Sequence, residues 1–182
     1  MNMKHKGYNE GIIFLDFDGV LNTECFQEHL RKNNEVRTDK FGYLFAPEAV
    51  ANLAQIIEQT GASVVITSSW KIEGIDWIRE LWNKRQMPGT VVGMTEFAEI
   101  DFNSLEPSED SLALAIGSRG SEIASWMNKY AHLDTPYVIL DDINDFLPEQ
   151  QVHFIRTNPR YGITKEDALH AINCLKQQRS IR

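Results

Sequence analysis

Cysteine is scarce in this chain, and no apolar run is long enough to cross a membrane. The 182 residues include two cysteines, Cys25 and Cys174, which stand far apart and in no metal-ligand spacing. We therefore expect two free thiols in a reducing, cytoplasmic compartment rather than a disulfide framework. The N-terminal segment carries basic residues, but its apolar run is short and ends in aspartate, so we predict neither a signal peptide nor a membrane partner.

The sequence also contains fewer basic than acidic residues. Lysine and arginine number 18 against 26 acidic residues, which gives a formal net charge of −8. This balance argues against a protein that coats nucleic acid through bulk electrostatics, although it leaves room for a local basic site. The length and the 42% hydrophobic content suit one domain over residues 1–182, with a sizeable core and small insertions.

Short apolar runs alternate with longer amphipathic stretches along the chain. Four of the five runs are continuously apolar in their middles, which is typical of parallel strands buried on both faces. Helical patterns lie between them. The sequence therefore predicts an α/β, doubly wound (Rossmann-like) fold with a five-stranded parallel sheet. The predicted strands are Ile12 to Asp16, Ser63 to Thr67, Thr90 to Met94, Tyr137 to Asp141 and Val152 to Arg156.

Two segments break this alternation. Residues 22–45 form a long connection of mixed charge after the first strand, which we interpret as a small cap or flap insertion. Residues 97–117 contain five acidic residues and no lysine or arginine, and we interpret them as an acidic insertion. Loops of this length are usually functional or disordered.

Polar side chains collect where three of the predicted strands end. In an open parallel sheet these carboxyl ends meet at one edge, where ligands bind. Carboxylate oxygens there suit Mg²⁺, which takes a few carboxylates together with water and substrate phosphate oxygens. Hydroxyl groups and an arginine would offset the charge of a phosphoryl group. The residues are Asp16, Asp18, Thr67, Ser68, Asp141 and Asp142, with Arg119 at the start of the helix that precedes the fourth strand.

These residues carry a resemblance to a known family. "DFDGVLN", "ITSS", Arg119 and "ILDD" resemble the four motifs of the haloacid dehalogenase (HAD) superfamily, in order and at the expected strand ends. "SSW", "RGSEI" and the "GIT" turn are also similar to small-capped HAD-like domains that occur in RNA-repair proteins. The resemblance implies the sheet order 5-4-1-2-3, with the nucleophile on the central strand.

The same resemblance implies a role for each site residue. Asp16 would attack phosphorus and form an aspartyl-phosphate, and Asp18 would act as general acid and then as general base. Mg²⁺ would be held by Asp16, by the backbone carbonyl of Asp18 and by one aspartate of "LDD". Asp142 is the preferred ligand, with Asp141 as its orienting neighbour.

Two assignments stay open at the level of sequence. The hydroxyl that binds phosphate is Thr67 or Ser68, because a shift of one residue in the strand end decides between them. The cation aligned with the family is Arg119, where the superfamily more often has lysine, and Lys71 or Lys129 could substitute for it. Arginine would bind phosphate bidentately, where lysine acts as a point charge.

The leading hypothesis is a Mg²⁺-dependent phosphatase that hydrolyses a phosphomonoester. Its partner would be a phosphorylated substrate, either a small molecule or a nucleic-acid end, and no obligate protein partner is evident. A small cap leaves the site open to large substrates, so a polynucleotide 3′-phosphatase is one alternative. A non-catalytic phosphate-binding regulatory module and a phosphotransferase with an acceptor other than water are the others.

Overall fold

The computed structural model describes residues 8–97 and 118–181. Within them the chain forms an α/β fold around a five-stranded parallel sheet. The strands of this sheet are β1 (Ile12–Leu15), β4 (Ser63–Ile66), β5 (Val91–Met94), β6 (Tyr137–Asp141) and β7 (Phe154–Arg156). Each lies on one of the five predicted runs, so the predicted fold class is confirmed.

The observed strand order is β5-β4-β1-β6-β7. The predicted labels, 5-4-1-2-3, differ because the chain also forms a two-stranded hairpin that was not predicted, β2 (Thr38–Asp39) and β3 (Gly42–Tyr43). Its strands are two residues long and exposed or half-buried, so they leave no periodic apolar pattern. Once the hairpin is counted, the five sheet segments have the neighbours that the predicted order gave them.

Strand β1 lies in the middle of the sheet, between β4 and β6. Ile13 and Leu15 point to one core, and Ile12 and Phe14 point to another on the opposite face; all four are fully buried. This explains the continuous apolar run, because a strand covered on both faces needs apolar residues at every position.

Helices cover both faces of the sheet. Helix α2 (Pro47–Thr60) begins with Pro47 and is followed by Gly61, whose φ of +72° is a left-handed conformation that glycine adopts without strain. Thr164 caps the last helix, and Asp167 completes the predicted capping box. The helices are α1 (Glu24–Lys32), α2 (Pro47–Thr60), α3 (Ile75–Lys84), α4 (Arg119–Tyr130) and α5 (Lys165–Ser180).

The segment 22–45 contains α1 and the β2–β3 hairpin. Arg85, just after α3, fastens the hairpin to the rest of the molecule. Its guanidinium donates to both carboxylate oxygens of Asp39, at 2.7 and 3.0 Å, and to the carbonyls of Gly42 and Tyr43. The predicted acidic insertion 97–117 lies outside the described residues, apart from Phe97. No helix among the described residues is both long and apolar enough to span a bilayer.

Candidate active site

Three aspartates meet at the carboxyl edge of the sheet. Asp16 follows β1, Asp141 ends β6 and Asp142 comes next in the chain. Asp16 is 3% exposed and Asp141 is fully buried, whereas Asp142 is partly exposed. One carboxylate oxygen from each lies within 4.8 Å of the others. The fold therefore concentrates negative charge where the sequence predicted a metal site.

Arg119 lies against this cluster from the first turn of α4. Asp145 holds that turn in place, because its carboxylate accepts from the backbone N–H of Arg119 at 3.1 Å and its carbonyl accepts from Gly120 at 3.0 Å. The Arg119 guanidinium donates to Asp141 at 2.7 Å and forms an ion pair with Asp16 at 3.1 Å. Asp145 thus accepts hydrogen bonds from the first turn of α4, and Arg119 is the cation that contacts Asp16 and Asp141.

The two buried carboxylates are in an unfavourable environment for charge. Burial raises the pKa of Asp16, although Arg119 and the Phe17 amide lower it. Burial, followed by the repulsion from Asp16, raises the pKa of Asp141 to about 7, against the lowering influence of Arg119. One guanidinium therefore does not balance the cluster, and an additional cation would favour the charged carboxylates.

The residues present fit a divalent metal. Asp16 Oδ1 is buried and its 3.1 Å contact with Arg119 is an ion pair, while the hydrogen bond from that guanidinium nitrogen goes to Asp141. Both oxygens of Asp141 are occupied, one by Arg119 and the other by the backbone N–H of Ile143 at 2.9 Å. Within the described residues no donor binds the Asp142 carboxylate. Asp142 thus offers free oxygens to a metal and Asp16 offers one that only an ion pair engages, while both oxygens of Asp141 accept hydrogen bonds.

Gly19 allows Asp142 to come close to the loop after β1. Its φ is +70°, and an added Cβ would lie 2.5 Å from the Asp142 carboxylate. A side chain here would push Asp142 away from the cluster, which accounts for the glycine in "DFDGV".

The hydroxyl pair after β4 is buried beside Asp16. Ser68 Oγ accepts from the backbone N–H of Trp70 at 3.4 Å and is one of the groups that lower the pKa of Asp16. Thr67 Oγ1 is buried and has no hydrogen-bond partner among the described residues. Thr67 therefore keeps its whole hydrogen-bonding capacity for an incoming ligand, whereas the Ser68 oxygen already caps the Trp70 amide.

A family comparison agrees with this geometry. The model for the family described as "HAD domain in Swiss Army Knife RNA repair proteins" matches residues 12–168. The chain belongs to this family. A comparison with curated proteins gave no match. The match covers every site residue described above and confirms the resemblance seen in the sequence.

Two further residues of this HAD domain contact Asp18, the second aspartate of "DFDGV". Asp18 Oδ1 accepts from Asn22 Nδ2 at 2.7 Å, and Asp18 Oδ2 accepts from Trp70 Nε1 at 2.8 Å. The position of Trp70 directly after the hydroxyl cluster was the only sequence signal for it. For Asn22, its place in "DGVLN" was the one feature of the sequence that associated it with the site.

The alternative cations of the HAD domain have other partners. Lys71 is buried in an ion pair with Glu122 of α4 and donates to Thr95 Oγ1 at 3.0 Å. Burial lowers the pKa of Lys71, with Glu122 opposing that effect. Lys129 forms a surface ion pair with Glu96 at 2.8 Å. Among the three candidate cations, Arg119 is the one that contacts Asp16 and Asp141 directly.

Proposed function

We propose that this HAD domain is a Mg²⁺-dependent phosphatase that hydrolyses a phosphomonoester through an aspartyl-phosphate on Asp16. The observation that supports it best is the buried, under-bonded Asp16 carboxylate beside Arg119 and the free Thr67 hydroxyl. A nucleophile, a cation and a donor for phosphoryl oxygens then lie at the same edge of the sheet. The free thiols of Cys25 and Cys174 accord with the predicted cytoplasmic location.

The residues divide the reaction into two displacements. Asp16 attacks phosphorus, the bond to the leaving oxygen breaks, and Asp18 gives that oxygen its proton. A water then attacks the aspartyl-phosphate, Asp18 takes a proton from the water, and the bond from Asp16 to phosphorus breaks to release phosphate. Arg119 and Thr67 bind the phosphoryl oxygens throughout.

Mg²⁺ held by Asp16, Asp142 and the Asp18 carbonyl would supply the positive charge that the phosphoryl oxygens need.

To test this requirement for Mg²⁺ we would measure phosphate release from an aryl phosphate with and without Mg²⁺, in wild type and in Asp142→Asn. We expect release that requires the metal, and an Asp142→Asn variant needing at least about tenfold more Mg²⁺ for half-maximal rate. Asp76→Asn, at an exposed position in α3, is the matched control and should behave as wild type. Release that is unaffected by chelation would contradict the proposal.

The family description connects such domains with RNA repair, and we propose a nucleic-acid end as the substrate class. A panel of RNA and DNA oligonucleotides with 3′-phosphate ends, compared with small sugar and aryl phosphates, tests this. We expect the highest kcat/KM on an oligonucleotide end. A preference for small phosphates would be consistent with the proposed phosphatase activity but would contradict a nucleic-acid end as its substrate. Phosphate binding without any release would favour the regulatory module, and transfer to an added alcohol would favour the phosphotransferase.

The two hydroxyls after β4 should respond differently to substitution. Thr67→Val removes a hydroxyl that has no protein partner, so we expect KM for phosphate esters to rise about tenfold, with unfolding free energy nearly unchanged. Ser68→Ala leaves the Trp70 amide without its capping partner, so it should lower stability by about 1 kcal/mol. Steady-state kinetics and urea unfolding of both variants check this. A larger KM effect in Ser68→Ala would reverse the assignment.

A further inference from the structure

Asp18 is held by two donors that come from different parts of the chain. Asn22 belongs to the same loop, and its side-chain amide binds Oδ1 at 2.7 Å. Trp70 belongs to the short 3₁₀ helix Ser69–Glu73 after β4, and its indole N–H binds Oδ2 at 2.8 Å. With one donor on each oxygen, the Asp18 carboxyl group cannot rotate without breaking a hydrogen bond.

The Trp70 indole is itself fixed by its surroundings. Phe17, the residue between the two aspartates, packs edge-on against it with 5.5 Å between ring centroids. Phe45 and Trp77 lie at 5.8 and 6.2 Å, and Gly42 of the hairpin is so close that an added Cβ would lie 3.2 Å from the indole ring. Ring contacts on several sides favour the observed rotamer, and with it the direction of the indole N–H.

This aromatic cluster also links Asp18 to the segment 22–45. The Arg85 guanidinium that fastens the hairpin lies 4.4 Å from the Phe45 ring and 6.0 Å from the Trp70 ring. The hairpin, the cluster and the Asp18 carboxyl group are therefore one connected arrangement. Phe45 and Gly42 come from the insertion, so the insertion supports the indole that holds Asp18.

We propose that Trp70 is a positioning residue for proton transfer by Asp18, an inference that rests on the proposed phosphatase function. General acid catalysis requires the acid within hydrogen-bond reach of the leaving oxygen and correctly oriented. Trp70 sets that orientation through Oδ2, and Asn22 sets it through Oδ1. Trp70 does not touch the reacting atoms, so loss of its N–H weakens only the two proton transfers of Asp18, and kcat/KM reports the first of them, the protonation of the leaving oxygen.

Leaving-group dependence separates this role from a purely structural one. Trp70→Phe keeps an aromatic ring in the cluster and removes the N–H. We expect kcat/KM to fall about tenfold for an alkyl or unsubstituted phenyl phosphate, and less than about twofold for para-nitrophenyl phosphate, whose leaving group needs little protonation. Trp77→Phe alters the same cluster without touching Asp18, and its effect should be equal across the series. An equal loss across the series in Trp70→Phe would overturn the proposal.

A second measurement is independent of turnover. The four tryptophans give indole N–H cross-peaks in a proton–nitrogen correlation spectrum, and Trp70→Phe identifies the peak of Trp70. In Asp18→Ala that peak should move and its N–H should exchange faster with solvent, while the Trp82 peak should stay in place, because Trp82 donates to Pro88 instead. An unmoved Trp70 peak would overturn the inference and leave the phosphatase proposal intact. A wild type with no turnover of any phosphomonoester but an intact Trp70 bond would overturn the function and, with it, the catalytic role of Trp70.

Discussion

Asp16→Asn should abolish phosphate release while leaving the fold intact. The amide has nearly the shape of the carboxylate, but its oxygen is a far weaker nucleophile and cannot form the aspartyl-phosphate. Removing the nucleophile of a covalent mechanism typically costs several orders of magnitude, and we expect at least about a 10³-fold loss of kcat. The measurement is phosphate release from an aryl phosphate at saturating Mg²⁺, with wild type and Asp16→Asn side by side.

The stability of the same variant provides the control. Burial raises the pKa of Asp16, so the folded state disfavours its charge, and a neutral amide should be tolerated. Arg119 keeps its hydrogen bond to Asp141 in the variant. We therefore expect the free energy of unfolding without metal to change by less than about 1 kcal/mol. Turnover within tenfold of wild type in a folded Asp16→Asn protein would contradict the mechanism.

The sheet and most of its helices could be predicted because their signals are local. Strand β1 is buried on both faces, and this makes its apolar run continuous. The Thr164–Asp167 capping box also spans only four residues. The β2–β3 hairpin was missed because the contacts that hold it come from distant residues such as Arg85, which lies about 40 residues further along the chain.

The sequence motifs predicted which residues form the candidate site, but they did not predict the hydrogen bonds between those residues. Asp16, Asp141 and Asp142 follow strands whose carboxyl ends must meet, so their cluster follows from topology. The choice between Thr67 and Ser68 depends on which hydroxyl the protein already uses, and this needs side-chain geometry. The bond from Trp70 to Asp18 joins residues 52 positions apart, and no local pattern encodes it.

Disrupting the buried ion pair between Lys71 and Glu122 should have the largest effect on stability. The sequence did not predict this pair, because its two residues lie far apart in the chain and no local pattern encodes their contact. Lys71 is 3% exposed and Glu122 is 7% exposed. Thr95 binds both of them, with each distance 3.0 Å. The pair ties the 3₁₀ helix after β4 to α4, one turn beyond Arg119. Removing one partner leaves an uncompensated buried charge.

We expect Lys71→Met and Glu122→Leu each to lower the free energy of unfolding by about 3–5 kcal/mol near neutral pH. The double variant should lose much less than the sum, because no charge is then stranded. Lys129→Met, which breaks the exposed pair with Glu96 on the same helix, should cost less than about 1 kcal/mol. Urea unfolding of the four variants checks this. Additive losses in the double variant would show that the two side chains act separately.

The pH dependence of Glu122→Leu gives an independent test of the same pair. Burial lowers the pKa of Lys71, and removing Glu122 removes the main influence that opposes this. Near neutral pH the unfolded chain would then bind a proton at Lys71 that the folded variant releases, so unfolding stability must rise with pH. The deficit of Glu122→Leu relative to wild type should therefore shrink as the pH approaches the ordinary pKa of lysine. A deficit that is constant between about pH 7 and about pH 9.5 would mean that lost packing, rather than the stranded lysine charge, destabilises the variant.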